Sequence, residues 1–506
     1  MVLPFISPTA VSTGRELSDG ERLEAVMRAE LQALSELIPQ YDIYRSYYEG
    51  EQALVFGTKQ FEDIFGTAFT RFHDNWCGVV VDALTDRLEV EGIILEQGVV
   101  TEAGEEPSTS VTDQIWNVFR SNDIDEQQED LHEAFAVEGR AYAIVWPDEE
   151  LKARIDWQPP QNVIVRYSDD DWRLPVFAIK RWIDSDGLTR VTVYTPDFVY
   201  KYHENREIRS ATVRRSTTPD TGPGFSLQPL ILNSEPWPLP NPLGEIPVVE
   251  FSNRKGSEIR DIIPIQDAVN YLGASSLSLA SFTAIPQWVF NTDAKEPVGG
   301  WQNTPGRVWQ IPHTLDADGR PMPFSMGQFQ PADVGGIRQI VEMFLQHAAL
   351  TSKTPVRMFF HSDRGGRGDA PSGESLIVDD EPLLDKVEKR QARLGNSWVR
   401  VARLVAKAAN IGSVEEFRGE MLWKDPRAKH RAALLAEAKQ MFDIGIPIRF
   451  IIRKLALSPD EVDLLEQMLT KQEAEEEAEK EEAFEKEKEL KETGSAPASG
   501  STPFGA

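Results

Sequence analysis

Four basic side chains stand close together in one glycine-rich stretch, and they are the clearest candidates for chemistry in this sequence. They are Lys353, Arg357, Arg364 and Arg367, in and just before the run VRMFFHSDRGGRGDAPSG. The four glycines of this run deny it a single rigid backbone conformation, so the sequence predicts a loop. Cations on such a loop can make salt-sensitive, sequence-independent contacts to nucleic-acid phosphates. An exposed basic loop can also be merely solvated, so the residues leave both interpretations open.

No catalytic motif accompanies this loop. The sequence has no Gly-x4-Gly-Lys-Ser/Thr loop, no HExxH, no GxSxG and no GxGxxG after a strand. The histidines His132 and His203 lie far apart without metal-like spacing, and the single cysteine, Cys77, excludes an internal disulfide and a cysteine-based zinc site. No pair among the many carboxylates is singled out by its surroundings. We therefore expect a protein that is not an enzyme and that uses no cofactor and no metal.

The charge balance argues against an ordinary DNA-binding protein. The 506 residues carry a net charge of −29, and an acidic chain is repelled by DNA phosphates. Residues 471–492 alone hold eleven glutamates and five lysines, a composition typical of a solvated helix or a disordered tail, and residues 493–506 should be disordered. The hydrophobic fraction of 41% is enough for the rest of the chain to fold, and the length predicts several domains.

Two helices should position the basic loop. The apolar residues of 333–350, including Phe344, recur at helical spacing, and Thr354 followed by Pro355 should end that helix. A second long helix should begin after Ser372, with a kink at Pro382. These two segments predict a helix, a loop and a helix in succession.

The remaining segments predict a mixed α+β chain. The pattern of residues 15–145 is mainly helical, with the first helix ending before Pro39. From about 150 to 255 apolar residues recur with a period of two, which predicts an antiparallel sheet. A helix that ends at Pro286 is rich in small residues, among them Gly273, Ala274 and Ser275. Small residues let neighbouring backbones approach closely, so these three and Phe344 are candidates for helix packing at a subunit interface. Its serines and threonines argue against a membrane span.

The order of these segments resembles a known family. The runs YYEGEQ, NWCGVVVDALTDRLEVEG and TSKTPVRMFF, followed by GDAPSGESLIVDDEPLLDKVEKRQARLGNSW, are similar to the portal proteins of tailed bacteriophages, and closest to the SPP1 type found in phages of actinobacteria. The resemblance covers most of residues 20–470. Its most specific pieces are the passage from Thr354 through the loop to SGESL and the segment VVVDALTDRLEVEG.

The resemblance implies a multidomain portal subunit with an α/β wing, a helical stem, a small β clip, a long kinked helix and a helical crown. The implied segments are 1–255 for the N-terminal part of the wing, 256–286 for the first stem helix, 287–331 for the β clip, 332–352 for the second stem helix, 353–372 for the tunnel loop, 373–425 for the long kinked helix with its return to the wing, 426–470 for the crown and 471–506 for the acidic and then disordered tail.

The resemblance also implies a role. A portal is a structural ring, usually of twelve copies, at one capsid vertex of the virion, and double-stranded DNA passes through it during packaging and ejection. Its expected partners are further copies of itself, the terminase, a head–tail adaptor, and the major capsid and scaffold proteins, with no membrane. We expect synthesis in the host cytoplasm. The alternative is an oligomeric virion scaffold or adaptor protein without a DNA channel.

Overall fold

The structure is a computed structural model that describes residues 19–53, 74–95, 111–171, 173–204, 227–231, 236–284, 288–291, 318–320, 325–328, 334–359, 373–412 and 418–427. Met1–Trp423 form one compact unit and Lys424–Ala506 a second. All elements named below belong to the first unit. The expected tail and all but two residues of the expected crown lie outside the described residues.

Within the described residues the helices are α1 Asp19–Glu49, α2 Trp76–Thr85, α3 Val111–Ser121, α4 Ile124–Val137, α5 Ile263–Ala284, α6 Val334–Ser352 and α7 Gly373–Ala408. The strands are β1 Val90–Leu95, β2 Arg140–Asp148, β3 Lys152–Gln158, β4 Val163–Tyr167, β5 Pro175–Ile183, β6 Thr189–Tyr194, β7 Phe198–Glu204, β8 Leu227–Pro229, β9 Leu239–Pro240, β10 Val248–Ser252, β11 Trp288–Asn291, β12 Ser325–Gln328 and β13 Gly419–Trp423. The mixed α+β class expected from the sequence is confirmed.

Helix α1 corrects one expectation, because it runs unbroken through Pro39 instead of ending before it. Proline removes one backbone donor and so one hydrogen bond of the helix. The turns beyond it carry Tyr41, Tyr44 and Tyr47, whose rings are all buried. Burying three large aromatic side chains on one face offsets the lost hydrogen bond.

Most of the antiparallel sheet predicted after residue 150 is present, but its first strand, β3, belongs to a different sheet. Strands β4 to β8 pair in chain order, all antiparallel, and β9 pairs with β7. The first half of α1 covers one face of this sheet with Met27, Leu31 and Leu34. A separate sheet has the order β10–β2–β3, also antiparallel. The turn from α4 into this sheet needs Gly139, which has a φ of +81° and follows the C-cap residue Glu138.

Helices α5 and α6 pack against each other, and the antiparallel pair β11–β12 lies between them in the sequence. Helix α5 ends at Ala284, just short of Pro286, and α6 ends two residues before Thr354, as the sequence predicted. Apart from β11, β12 and residues 318–320, the expected β clip lies outside the described residues. No helix in the described part of the chain is long and apolar enough to cross a membrane.

Helix α7 is the central element of the main core. It is continuous through Pro382 and packs on β2, β3, β10 and β13. Trp398, one per cent exposed, lies edge-on to Phe251 with ring centroids 5.0 Å apart. Strand β13 was predicted from GEMLW, and it pairs with β1. Cys77 is fully buried in the same core, as expected of a small apolar side chain.

Candidate functional site

The chain that leaves α6 and leads toward α7 contains the described part of the candidate basic loop. Lys353 lies before Pro355, and Arg357 lies within the 3-10 turn Val356–Met358 that follows Pro355. Arg364 and Arg367 lie outside the described residues. The structure therefore places two of the four predicted cations, and we call the segment 352–359 the loop entrance.

Lys353 ends helix α6 in a left-handed conformation, with a φ of +61°. A non-glycine residue pays about 1 to 2 kcal/mol for this conformation, so neighbouring contacts must hold it. The amide of Thr354 donates to the carbonyl oxygen of Ala349 over 3.1 Å, and the Ser352 hydroxyl donates to Ala348 over 2.7 Å. The side chains of Ser352 and Thr354 are buried while Lys353 is exposed, so the ammonium group of Lys353 is available to an anion from solvent.

Arg357 is held from the other side by helix α7. Its Nη2 donates to the carboxylate of Asp380, and its Nη1 lies 3.9 Å from Asp379. Two residues later, Phe359 is buried against Trp76, with ring centroids 5.9 Å apart. Arg357 therefore anchors the loop entrance to α7, and its charge is largely matched by a carboxylate.

A buried ionic cluster beneath the loop entrance was not predicted from the sequence. Glu258 accepts from Lys386 Nζ over 3.0 Å and from Arg390 Nε over 2.5 Å, and all three side chains are less than a tenth exposed. Lys386 Nζ also donates to the carbonyl oxygen of Ser352 over 3.1 Å, and Asn253 donates to Glu258 over 2.7 Å. The cluster thus ties the last turn of α6 to α7 and to the segment before α5.

The cluster shifts the pKa values of its members. Burial alone raises the pKa of Glu258, but Lys386 and Arg390 outweigh it and hold that pKa below its usual value. Burial lowers the pKa of Lys386, although the Glu258 carboxylate opposes this. A carboxylate with two cationic partners and an amide donor has its lone pairs satisfied, which a buried charge requires. The only signal in the sequence was the spacing of four between Lys386 and Arg390 on an apolar helix face.

The predicted helix-packing residues lie away from this cluster, on α5 and α6. Ala274 is fully buried, while Gly273 and Ser275 are partly exposed. Phe344 is partly buried against the main core and lies edge-on to His347, with ring centroids 6.4 Å apart. These four residues stay candidates for contacts between subunits.

Among the residues that the structure describes, no group of three or more His, Cys, Asp or Glu side chains is arranged to hold a metal ion. His132 is buried, with its ring nitrogens bonded to Leu88 and Trp398, and His203 lies by the backbone carbonyl of Glu204. Both histidines are therefore hydrogen-bonded side chains, as the sequence indicated. What the described site offers is an exposed cation on a firmly anchored loop entrance.

Comparison with known proteins confirms the resemblance to SPP1-type portal proteins. The family model described as phage portal protein, SPP1 Gp6-like, matches residues 30–278. The portal protein of Mycobacterium phage D29 is 24% identical over 402 residues, which cover 74% of this chain and 73% of the relative. The portal protein of Mycobacterium phage L5 is 24% identical over 390 residues, with the same coverage. Both relatives come from phages of actinobacteria, the group expected from the sequence.

Solved structures of gene transfer agent particles also align with the chain. The neck of a native gene transfer agent particle, computed with C12 symmetry, gives a TM-score of 0.39 at 14% identity and covers 80% of this chain and 95% of that chain. The neck of the empty particle, computed with C6 symmetry, gives 0.38 at 13% identity, with 81% and 94% covered. Scores of this size show an alignment along most of the length without establishing a shared fold.

Proposed function

We propose that this chain is the subunit of a phage portal, a ring at one capsid vertex through which double-stranded DNA enters the head and later leaves it. The observation that carries the proposal is the match to two portal proteins along about three quarters of both chains. The family match over residues 30–278 falls within the region that folds as one compact unit. Portal proteins are structural, so the proposed role requires no enzyme activity and no cofactor.

Ring formation needs a surface on one subunit that fits a different surface on the next. Helix α6 has a candidate for such a surface. Ile340, Met343 and Leu350 are exposed and share one face, and Leu350 is 75% exposed. Leu345 and Ala348 are buried on the opposite face. An apolar stripe on the outside of a packed helix pair fits a neighbouring copy, and about twelve copies would close the proposed ring.

The proposed channel fits the charge of the chain. A wall with a net negative charge repels DNA phosphates over about one Debye length, roughly 8 to 10 Å, so DNA can slide without binding strongly. Lys353, Arg357, Arg364 and Arg367 form the proposed tunnel loop, which makes weak phosphate contacts that re-form as DNA advances. The exposure of Lys353 supports its phosphate contact, while Arg357, paired with Asp380, holds the loop entrance in place.

The remaining parts of the proposal concern partners and location. The subunit is made in the host cytoplasm and ends in the virion at the portal vertex. There it contacts the terminase during packaging, a head–tail adaptor afterwards, and the major capsid and scaffold proteins around the ring. The wing, stem, clip and crown boundaries given above belong to this proposal.

Negative-stain electron microscopy and native mass measurement of the full-length protein test the ring. We expect rings of about a dozen subunits with an axial hole, alone or after mixing with capsid and scaffold proteins. A closed dimer, or an assembly without a hole under both conditions, would contradict the portal assignment and favour a scaffold or adaptor.

A second experiment tests the tunnel loop. Changing Lys353, Arg357, Arg364 and Arg367 to alanine should leave rings intact but make DNA packaging or retention abnormal. A companion variant that keeps Arg357 separates phosphate contact from the loss of the bond to Asp380. Normal packaging by both variants would exclude the proposed loop role.

A further inference from the structure

Helix α7 carries its charges in two separate blocks. From Gly373 to Asp385 there are five carboxylates and no cation. From residue 389 to residue 407 there are six cations and no carboxylate, namely Lys389, Arg390, Arg393, Arg400, Arg403 and Lys407. In a chain with a net charge of −29, such a basic block calls for a physical cause.

Folding accounts for half of the six cations. Arg390 is buried and paired with Glu258. Arg403 and Lys407 are both paired with Glu245, and Lys407 also lies in the last turn, where the helix dipole favours a cation. The dipole effect falls off within one turn, so it does not account for Lys389, Arg393 and Arg400 in the middle of the helix.

These three residues lie on one face of α7. Their spacings of four and seven keep them in register on a helix, and they span about 16 Å from first to last at about 1.5 Å per residue. The Lys389 side chain is 66% exposed, and Arg400 is exposed. Lys389 lies 3.7 Å from the carboxylate of Asp385. An exposed ion pair of that kind contributes little to folding stability.

A fourth cation approaches the same face from the turn after β10. Arg254 is exposed and follows Asn253, whose side-chain oxygen lies 3.4 Å from Arg393 Nη1. Burial is the main cause that lowers the pKa of Arg393; the charges of Arg390 and Arg254 add to it, and the charge of Glu258 opposes it. Arg254 and Arg393 are therefore close enough for their like charges to oppose each other. A surface that keeps these like charges together is better explained by an anionic ligand than by stability.

We propose that Lys389, Arg393 and Arg400, with Arg254 beside them, form a basic patch that binds the phosphate backbone of double-stranded DNA. The choice of DNA rests on the proposed portal function, which brings the subunit into contact with DNA. An acidic protein is the other possible polyanion. Protein interfaces have an apolar centre, whereas no large apolar side chain is exposed between residues 389 and 407, all of which the structure describes. A row of cations along one helix face fits a duplex backbone.

Salt-dependent binding of a labelled duplex of about 20 base pairs tests the patch, because each phosphate contact contributes about 0.9 to the slope of log K against log salt. The patch variant changes Lys389, Arg393 and Arg400 to glutamine. The control variant changes Arg28, Arg120 and Arg154 to glutamine. These are exposed cations on α1, α3 and β3, so the control loses the same net charge as the patch variant. Fluorescence anisotropy of the full-length protein gives K between about 50 and 200 mM salt.

We expect the slope to fall by about 2.7 in the patch variant and to stay unchanged in the control. Equal losses of slope in both variants would mean that net charge alone causes the binding, which would overturn the proposal. Failure of the wild-type protein to bind the duplex would also overturn the proposal. This includes the case in which the wild type binds a polyglutamate probe and the patch variant does not. Electron microscopy of the same samples separates the two claims: rings without patch-dependent binding refute only the patch, and patch-dependent binding without rings refutes only the portal.

Discussion

His132 should make the stability of this protein fall as the solution is acidified. The ring is one per cent exposed, and its Nδ1 lies 2.8 Å from the carbonyl oxygen of Leu88. Trp398 Nε1 donates to Nε2 over 3.0 Å, so Nε2 carries no proton and Nδ1–H donates to Leu88. Protonation of Nε2 would break the bond from Trp398 and place a charge in the core. Burial accordingly lowers the pKa of His132 from 6.5 to about 4.

The size of the effect follows from the two pKa values. Below an unfolded-state pKa of 6.5, the unfolded chain binds a proton that the folded chain refuses until about 4, so stability is lost as pH falls through this window. Between about pH 7.5 and about pH 5 the loss through His132 amounts to about 2 kcal/mol. A glutamine cannot take up this proton, so His132→Gln should lack this loss.

Urea unfolding followed by tryptophan fluorescence, at several pH values and one protein concentration, measures the difference. His132→Gln loses the bond to Leu88 and should be less stable near neutral pH by about 1 to 3 kcal/mol. The difference in free energy of unfolding between the wild type and this variant should nevertheless shrink by about 2 kcal/mol on acidification. Burial raises the pKa of Glu138 to about 7, but Glu138 titrates in both proteins and cancels in the difference. His203→Gln controls for the removal of a histidine as such.

Parallel curves for wild type and His132→Gln would refute the reasoning, because they would mean that His132 binds its proton equally in the folded and unfolded states. A wild-type protein that gains stability relative to the variant on acidification would reverse the sign and place the charged ring in a favourable site.

Three further outcomes follow from the packing. Glu258→Gln should cost about 3 to 5 kcal/mol in urea unfolding, since Lys386 and Arg390 lose their buried partner, whereas Asp156→Asn at an exposed pair should cost under about 1 kcal/mol. Gly139→Ala should cost several times more than Gly187→Ala in the same assay: both have positive φ, but only at Gly139 would the new Cβ meet backbone, 2.7 Å from Gly256. Gly273→Leu should leave the subunit folded but reduce ring formation in electron micrographs, and unchanged rings would exclude Gly273 from a tight subunit contact.

The parts of the fold that follow from local patterns could be predicted from the sequence. The end of α6 at Ser352 follows from Pro355, and strands β4 to β7 follow from the alternation of apolar and polar residues between turn residues. The helix end before Pro39 was wrong, because burial of three tyrosines lies outside what a local breaker signal can report. Glu258 was missed because its partner Arg390 is 132 positions away, and sequence spacing indicates nothing at that range.

Helix α7 shows how one element can serve both the fold and the proposed DNA path. Its acidic first half anchors Arg357 through Asp380, and its buried face holds Ser352 through Lys386, so both ends of the loop entrance are fixed to the same helix. The exposed face of its second half carries the basic patch. Because α7 is a single continuous helix, the patch and the contacts that hold the loop entrance lie on the same element. DNA bound at the patch would therefore bear on the same element that positions Lys353.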